Sequence, residues 1–139
     1  GCLLTDPGFA RRMKDLILHQ PDFSLNDVHL LKMGRQFRLS PKSKLVVGRN
    51  EEENQKIQTF SREGDFLFKI MRCPGPLSLL RGDGGEGEIE KAAAITARYG
   101  KTKDLEKVEV IYKKVGGNGD RSLSVSPASE AEIERFMIN

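Results

Sequence analysis

The apolar residues of this chain come in short runs separated by turn and capping residues, a pattern that restricts the fold to many short elements. Alternation of apolar and polar residues over 65–71 and 107–115 predicts strands, whereas apolar residues at helical spacing follow Asp6-Pro7 and Asn50. Short strands and helices bury their apolar faces only against one another. At 139 residues the chain is long enough for one such core. We therefore predict an α+β fold: a mixed β-sheet flanked by helices, with a short helical N-terminal segment.

Capping and turn signals place the individual elements. Asp6 caps a first helix with Pro7 at its first position, Asn26 or Asp27 caps a short second helix, and Gly34 follows it. Strands are predicted over 35–39, 45–47, 65–71, 77–80, 107–115 and 123–125, and further helices after Asn50, over 88–99 and after Ser129. We divide the chain into a helical linker or tail at 1–34 and an α+β domain at 35–139.

Composition excludes several classes of protein. No run of about 18 apolar residues is present, so the sequence predicts no membrane span. Asp6 and Arg11 interrupt the apolar stretch near the start, which argues against a signal peptide. Two cysteines are too few for a disulfide framework, and we expect a cytoplasmic protein with reduced thiols. The first residue is glycine and an apolar run follows it, so we expect a longer polypeptide upstream.

The net charge of +3 is small, but the cations are unevenly distributed. No acidic residue occurs between Asp27 and Glu51, and a second basic cluster follows the predicted helix over 88–99. Such residues often only solvate exposed strands. Clustered cations also fit a surface that follows a nucleic-acid backbone, because each neutralised phosphate releases counterions. The first cluster comprises Lys32, Arg35, Arg38, Lys42, Lys44 and Arg49, and the second Arg98, Lys101 and Lys103.

Catalytic groups are sparse. Neither His19 nor His29 has a cysteine near it in sequence, so no zinc site is predicted. The glycine-rich segment 82–87 precedes a helix, but it carries acids and lacks the lysine and hydroxyl of a phosphate-binding loop. We predict no catalytic residue, metal or cofactor in this chain. The role of Cys2 stays open between packing and a sulfur-carrying or metal-binding thiol.

A series of ordered motifs resembles a known family. A Val-Gly-Arg-Asn strand end at 47–50 leads into a helix with a second asparagine, Asn54, and an Asp-aromatic strand at 65–69 and a Pro-Gly turn at 74–76 follow. The helix segment 90–94 and the strand segment 108–112 continue the same order. These motifs resemble the RNA-binding NFACT-R domain over roughly residues 35–127. The chain departs from that pattern where Lys69 replaces a strand histidine, where Pro76 and Leu77 replace a serine and a histidine, and where a lysine-rich loop is shortened to 116–119.

A second, shorter stretch carries another resemblance. Residues 1–7, with Phe9, Arg12 and Asp15, resemble the segment that leaves the catalytic domain of predicted PP-loop tRNA-thiolating enzymes. The two resemblances imply a non-catalytic C-terminal accessory domain of an ATP-dependent tRNA sulfurtransferase, with ATP expected only for the parent protein. The implied partners are tRNA or another structured RNA and the catalytic domain of the same polypeptide. The residues expected to contact RNA are Arg35, Arg38, Lys42, Lys44, Arg49, Asn50, Lys69, Lys101 and Lys103.

Two other functions stay open at this point. An uncovered apolar face on the first helix would favour a protein-interaction module that docks on the catalytic domain or on another subunit. A small free-standing enzyme is the third alternative, and it lacks an evident acid–base pair. One continuous positive face would favour RNA over both.

Overall fold

A computed structural model describes residues 6–82 and 84–138, which form five helices and six strands. The helices are α1 (Pro7–His19), α2 (Leu25–Leu30), α3 (Glu51–Phe60), α4 (Glu86–Arg98) and α5 (Glu130–Phe136). The strands are β1 (Arg35–Ser40), β2 (Ser43–Val47), β3 (Phe66–Ile70), β4 (Ser78–Gly82), β5 (Val108–Lys114) and β6 (Arg121–Val125). The predicted α+β class is confirmed.

The strands form one sheet in the order β1-β2-β4-β3-β5-β6, and each of its five strand pairs is antiparallel. The sheet is therefore antiparallel rather than mixed. The helical connections α3 and α4 suggested parallel neighbours, since crossovers through a helix usually join them. Here each crossover skips one strand position, and an antiparallel strand fills the gap.

Helices cover the sheet on both faces. On one face α4 lays its alanines against the sheet, and large side chains such as Phe37, Phe68 and Leu80 fill the space around them. On the other face Leu30 of α2 and Ile57 of α3 pack on apolar residues of β2, β3 and β4. Helix α1 forms a third cluster with α2 and the residues after it. On this second face the cover ends at β3, and Glu109, Ile111 and Lys113 of β5 are exposed or half-buried.

Most helix starts are those that the capping residues predict. Asp6 accepts hydrogen bonds from the first amides of α1, Asn50 caps α3, and Ser129 forms a capping box with Glu132. The start of α2 was placed wrongly: its N-cap is Ser24, and Asp27 is the reciprocal partner at the third helical position. The Asn26 amide instead donates to the carbonyl of Phe60 at 3.1 Å.

A buried arginine ties α2 to the sheet. Arg81 of β4 is 8% exposed and donates to Asp65 at 3.0 and 2.7 Å and to Asp27 at 3.0 Å. Burial alone would raise the pKa of Asp27, but the Ser24 amide and Arg81 outweigh it and the pKa is lowered. Each charge of this network therefore has a partner, as a stable interior requires.

Candidate nucleic-acid interface

The segment 48–54 joins β2 to α3 and also holds a turn. Asn50 Oδ1 accepts from the Glu53 amide at 2.9 Å, which satisfies a free amide at the start of α3. Asn54 Oδ1 accepts from the Leu77 amide at 3.0 Å, and the Gly48 amide donates to the Leu77 carbonyl at 2.9 Å. A Cβ atom at Gly48 would overlap Asn54 Oδ1, so glycine is needed there. The motif fixes the turn at 74–76 against the start of α3.

Arg49 has a partner within the chain. Its Nε and Nη2 atoms donate to the Glu53 carboxylate at 2.9 and 2.7 Å. Glu53 also accepts from the backbone amides of Arg49 and Gly34, both at 3.0 Å. The hydrogen bonds from the Arg49 side chain lower the pKa of Glu53 to about 2, although burial acts in the opposite direction. The Arg49 side chain is still 53% exposed, so it combines a structural pair with a surface open to a ligand.

A groove beside this motif collects four of the predicted RNA-contacting residues, and we call it the motif groove. The Arg35 guanidinium lies 4.3 Å from the centre of the Tyr99 ring, in cation–π contact. Burial raises the pKa of Tyr99. Three cations and one acid therefore face the groove. Its lining consists of Arg35, Gly48, Arg49, Asn50, Glu51, Asn54, Pro74, Gly75, Pro76, Tyr99 and Lys101.

A second groove lies on the uncovered part of the sheet, and we call it the sheet groove. Leu67 is paired with Lys113 and Lys69 with Ile111, so two lysines occupy one diagonal and two aliphatic residues the other. The remaining lining residues include Gln58 of α3, Leu77 and Asp120. Lys113 was not predicted as a contact, because only the pairing of β3 with β5 brings it next to Lys69.

The two grooves lie on either side of the turn at 74–76. Pro76 lines the motif groove and the next residue, Leu77, lines the sheet groove. Lys69 and Leu77, where the chain departs from the family's histidines, thus meet in one groove. The site offers cations and aliphatic surface there rather than imidazoles.

The other predicted contacts lie elsewhere. Arg38 is paired with Asp15 at 2.7 Å, at the end of β1 remote from Arg35. Lys42 is exposed in the turn between β1 and β2. Lys103 is exposed, but it is not among the residues that line either groove. Five of the nine predicted residues therefore line the two grooves and four do not.

Lys44 is the largest departure from the predicted site. It is 9% exposed and lies on β2 between Arg38 of β1 and Arg81 of β4. Among the described residues its side chain has no hydrogen-bond or ion-pair partner. Burial lowers the pKa of Lys44 to about 7, and the charge of Arg38 adds to the effect. In this conformation Lys44 offers little surface to an RNA.

The first helix carries an exposed apolar surface. Ile17 is 50% and Leu18 73% exposed. They line a shallow depression together with Phe9, Ala10 and Met13. Exposed apolar surface of this kind is typical of contacts with other proteins.

The described residues hold no group of three or more histidine, cysteine or acidic side chains placed to bind a metal. No helix within 6–82 and 84–138 is long and apolar enough to cross a membrane. Cys73 is half-buried rather than fully buried, and Cys2 lies outside the described residues.

Comparisons with known proteins place this architecture in a family. A solved structure, the C-terminal part of the fibronectin/fibrinogen-binding protein from Streptococcus suis, matches with a TM-score of 0.66 at 17% sequence identity. The match covers 94% of this chain and 68% of the other, and at this identity it shows a shared fold. The search of curated proteins found no match. The family model described as the NFACT protein RNA binding domain matches residues 34–137, which include both grooves. The chain therefore belongs to the NFACT-R family and carries an RNA-binding domain.

Proposed function

We propose that this domain binds a structured RNA, tRNA in particular, along the turn at 74–76. The observation that carries the proposal is the pair of cation-lined grooves that flank this turn within the family match. A backbone that follows the turn would meet Arg35, Arg49 and Lys101 on one side and Lys69 and Lys113 on the other.

The side chains favour recognition of the RNA backbone over recognition of bases. The guanidinium groups suit bidentate contact with phosphate, and the lysines act as mobile point charges. Stacking of bases is limited, because the chain has no tryptophan and Arg35 already covers the Tyr99 ring. The half-buried Ile111 offers an aliphatic surface between the two lysines for contact with a base.

The test is the salt dependence of tRNA affinity, combined with removal of single charges. If about four phosphates are engaged, the logarithm of the association constant falls with the logarithm of salt concentration at a slope near −3. Arg35→Gln, Lys69→Gln and Lys113→Gln should each weaken binding and make the slope shallower, similarly for different RNAs. Lys56→Gln is the matched control, since Lys56 is exposed on α3 and paired with Glu52 outside both grooves.

Two results would contradict the proposal. One is affinity that does not depend on salt, and the other is an equal effect of Lys56→Gln and the groove variants. For Arg49 a distinct outcome is informative: if Arg49→Gln melts at lower temperature yet binds tRNA like the wild type, its role is limited to the pair with Glu53.

We further propose that the domain is the accessory tail of a cytoplasmic, ATP-dependent tRNA sulfurtransferase and presents tRNA to a catalytic domain upstream. The resemblance of the N-terminal segment to tRNA-thiolating enzymes supports this step. The coding sequence upstream of Gly1 should then contain an ATP-binding PP-loop. Deleting residues 35–139 from the parent should weaken tRNA binding more than ATP hydrolysis, and undiminished affinity would contradict the proposal.

A second candidate function is docking on the catalytic domain or on another subunit. The exposed Ile17 and Leu18 on α1 favour it, because they are remote from the two grooves in sequence and contribute no charge. Leu18→Glu should weaken such an association and leave tRNA affinity intact, which separates this function from the first.

A further inference from the structure

Three basic residues lie side by side across three strands on the face that α1 and α2 cover. Lys44 of β2 pairs with Arg38 of β1 on one side and with Arg81 of β4 on the other. Directly opposite residues of antiparallel strands have Cβ atoms about 4.5–5.5 Å apart. Three positive charges at this spacing repel one another unless anions lie over them, and a row of phosphates would supply those anions.

Within the chain, acidic side chains take that position, but not equally for all three cations. Asp15 of α1 accepts from Arg38 Nη2 at 2.7 Å and from Nε at 3.0 Å. Arg81 is held by Asp27 and Asp65 inside the core. Lys44 has no anionic partner within ion-pair distance among the described residues and lies beneath Leu16 of α1. Arg81 and Arg38 therefore have acidic partners, in the case of Arg38 one from α1, whereas Lys44 has none among the described residues.

Helix α1 is the outermost part of this cover. Phe9 and Leu16 pack on Leu31, and Arg12 donates to the Leu31 carbonyl at 2.9 Å. The helix lies outside the residues that the family model matches. Helix α2, in contrast, is fixed by the buried network around Arg81 and by the core beneath it. Of the two helices, α2 therefore has the more extensive buried attachments to the sheet.

We propose that α1 is a displaceable cover over a second RNA-binding surface, in which Asp15 occupies the place of an RNA phosphate on Arg38. Displacing α1 frees Arg38 and exposes the Lys44 side chain, beside Lys42, which is already exposed. The cost is exposure of apolar residues such as Leu16. It is offset by hydration of the buried lysine and by the new phosphate contacts. This inference rests on the proposed RNA-binding function.

Two variants with the same change in net charge test the cover. Asp15→Asn removes the pair with Arg38, whereas Asp22→Asn removes an exposed carboxylate that has no ion pair within the described part of the chain. Affinity for a tRNA transcript is measured for the whole chain at several salt concentrations. Asp15→Asn should bind several-fold more tightly than Asp22→Asn, with a slope steeper by about 1–2 for one or two added phosphates. Adding Arg38→Gln to Asp15→Asn should remove the gain.

Hydrogen exchange of the wild-type protein gives a measurement that needs no variant. Amides of α1 should exchange faster when tRNA is bound, and unchanged or slower exchange would overturn the cover. Equal affinities and slopes for Asp15→Asn and Asp22→Asn would also overturn it, as would a gain that survives Arg38→Gln. In these cases binding by the wild type would leave the proposed function standing. Absence of tRNA binding by wild type and Asp15→Asn alike would overturn both.

Discussion

Lys44 and Arg81 are cross-strand neighbours with similar burial. They differ in their partners, because Arg81 contacts two carboxylates and Lys44 contacts none among the described residues. Arg81 donates to two carboxylates, an amide oxygen and a carbonyl, which use the full donor capacity of its guanidinium. The Lys44 ammonium has no hydrogen-bond or ion-pair partner among the described residues. Its neighbours on the two adjacent strands are both arginines, Arg38 and Arg81. At the scale of residues, Arg81 therefore stabilises the core and Lys44 destabilises it.

Lys44→Met should increase the free energy of unfolding and remove a pH dependence. The pKa of Lys44 is about 7 in the folded protein, against an ordinary value of 10.5. Between these values the unfolded chain binds more protons, so stability rises with pH by up to about 1.4 kcal/mol per unit. Below pH 7 both states hold the proton and the penalty is constant. Urea unfolding between pH 6 and 9 measures this, with exposed Lys42→Met expected to behave like the wild type. Parallel curves for Lys44→Met and wild type would contradict the prediction.

Arg81→Met should be strongly destabilising. It leaves Asp65 buried without its counter-charge and Asp27 with only Arg62, at 3.5 Å, a change that costs about 3–5 kcal/mol in comparable buried pairs. Arg121→Met on the exposed strand β6 is the control and should change stability by less than about 0.5 kcal/mol. Urea unfolding at pH 7 compares the two, and a similar small effect of both would show that the network adds little.

At the scale of elements, the segment between β2 and α3 serves as a joint. Asn50 caps α3, and Glu53 accepts hydrogen bonds from the backbone amides of Arg49 and Gly34. Asn54 accepts a hydrogen bond from the backbone amide of Leu77. Two elements and a turn thereby acquire fixed relative positions through side chains within seven residues. The residues that the family motif singles out are mainly the ones that build this joint, and Arg49 alone among them keeps an exposed cation.

Gly48→Ala should destabilise the joint, whereas Gly87→Ala should stabilise α4. The new methyl group at residue 48 displaces the Asn54 side chain and leaves the Leu77 amide unpaired, at a cost of about 1–3 kcal/mol. At residue 87 a Cβ meets nothing within 4 Å, and alanine in a helix gains about 0.5–1 kcal/mol over glycine. Melting temperatures of the two variants test whether the substitutions change stability in opposite directions. Stabilisation by Gly48→Ala would show that Asn54 is free to move.

At the scale of the whole molecule, the sheet separates two kinds of basic residue. The cations that line the two grooves are exposed or half-buried, whereas Arg38, Lys44 and Arg81 at the other end of the sheet are paired or buried. The net charge of +3 does not reveal that the basic residues fall into these two groups. The RNA surface that we propose consists of the cations that line the two grooves.

The chain should bind tRNA without turning over ATP or thiolating the RNA. Its glycine-rich helix start at α4 has Glu86 and Glu88 in the first turn and no side-chain cap, so it repels a nucleotide phosphate. ATP hydrolysis and thiouridine formation are measured for this chain, for the parent protein and for the parent without residues 35–139. Turnover by the chain alone would contradict the prediction and favour the free-standing enzyme.

The sequence by itself determined the elements and the family. Caps at Asp6, Asn50 and Ser129 predicted three helices correctly, because a cap acts on amides two or three residues away. The order of motifs predicted the NFACT-R resemblance that the family match confirms over 34–137. Local signals also have limits: Ser24, Asn26 and Asp27 are all capping residues, and the wrong one was chosen for α2.

Only the tertiary structure decided how the strands are arranged and which cations lie together. The antiparallel order follows from two helical crossovers that skip a strand, a choice made by packing across the whole sheet. Register between β3 and β5 brings Lys113 beside Lys69, and packing of α1 pairs Arg38 with Asp15 and buries Lys44. Charge clustered along a sequence becomes charge clustered in space only where strand pairing and helix packing allow it. Those contacts join residues too far apart in the chain for any local pattern to specify.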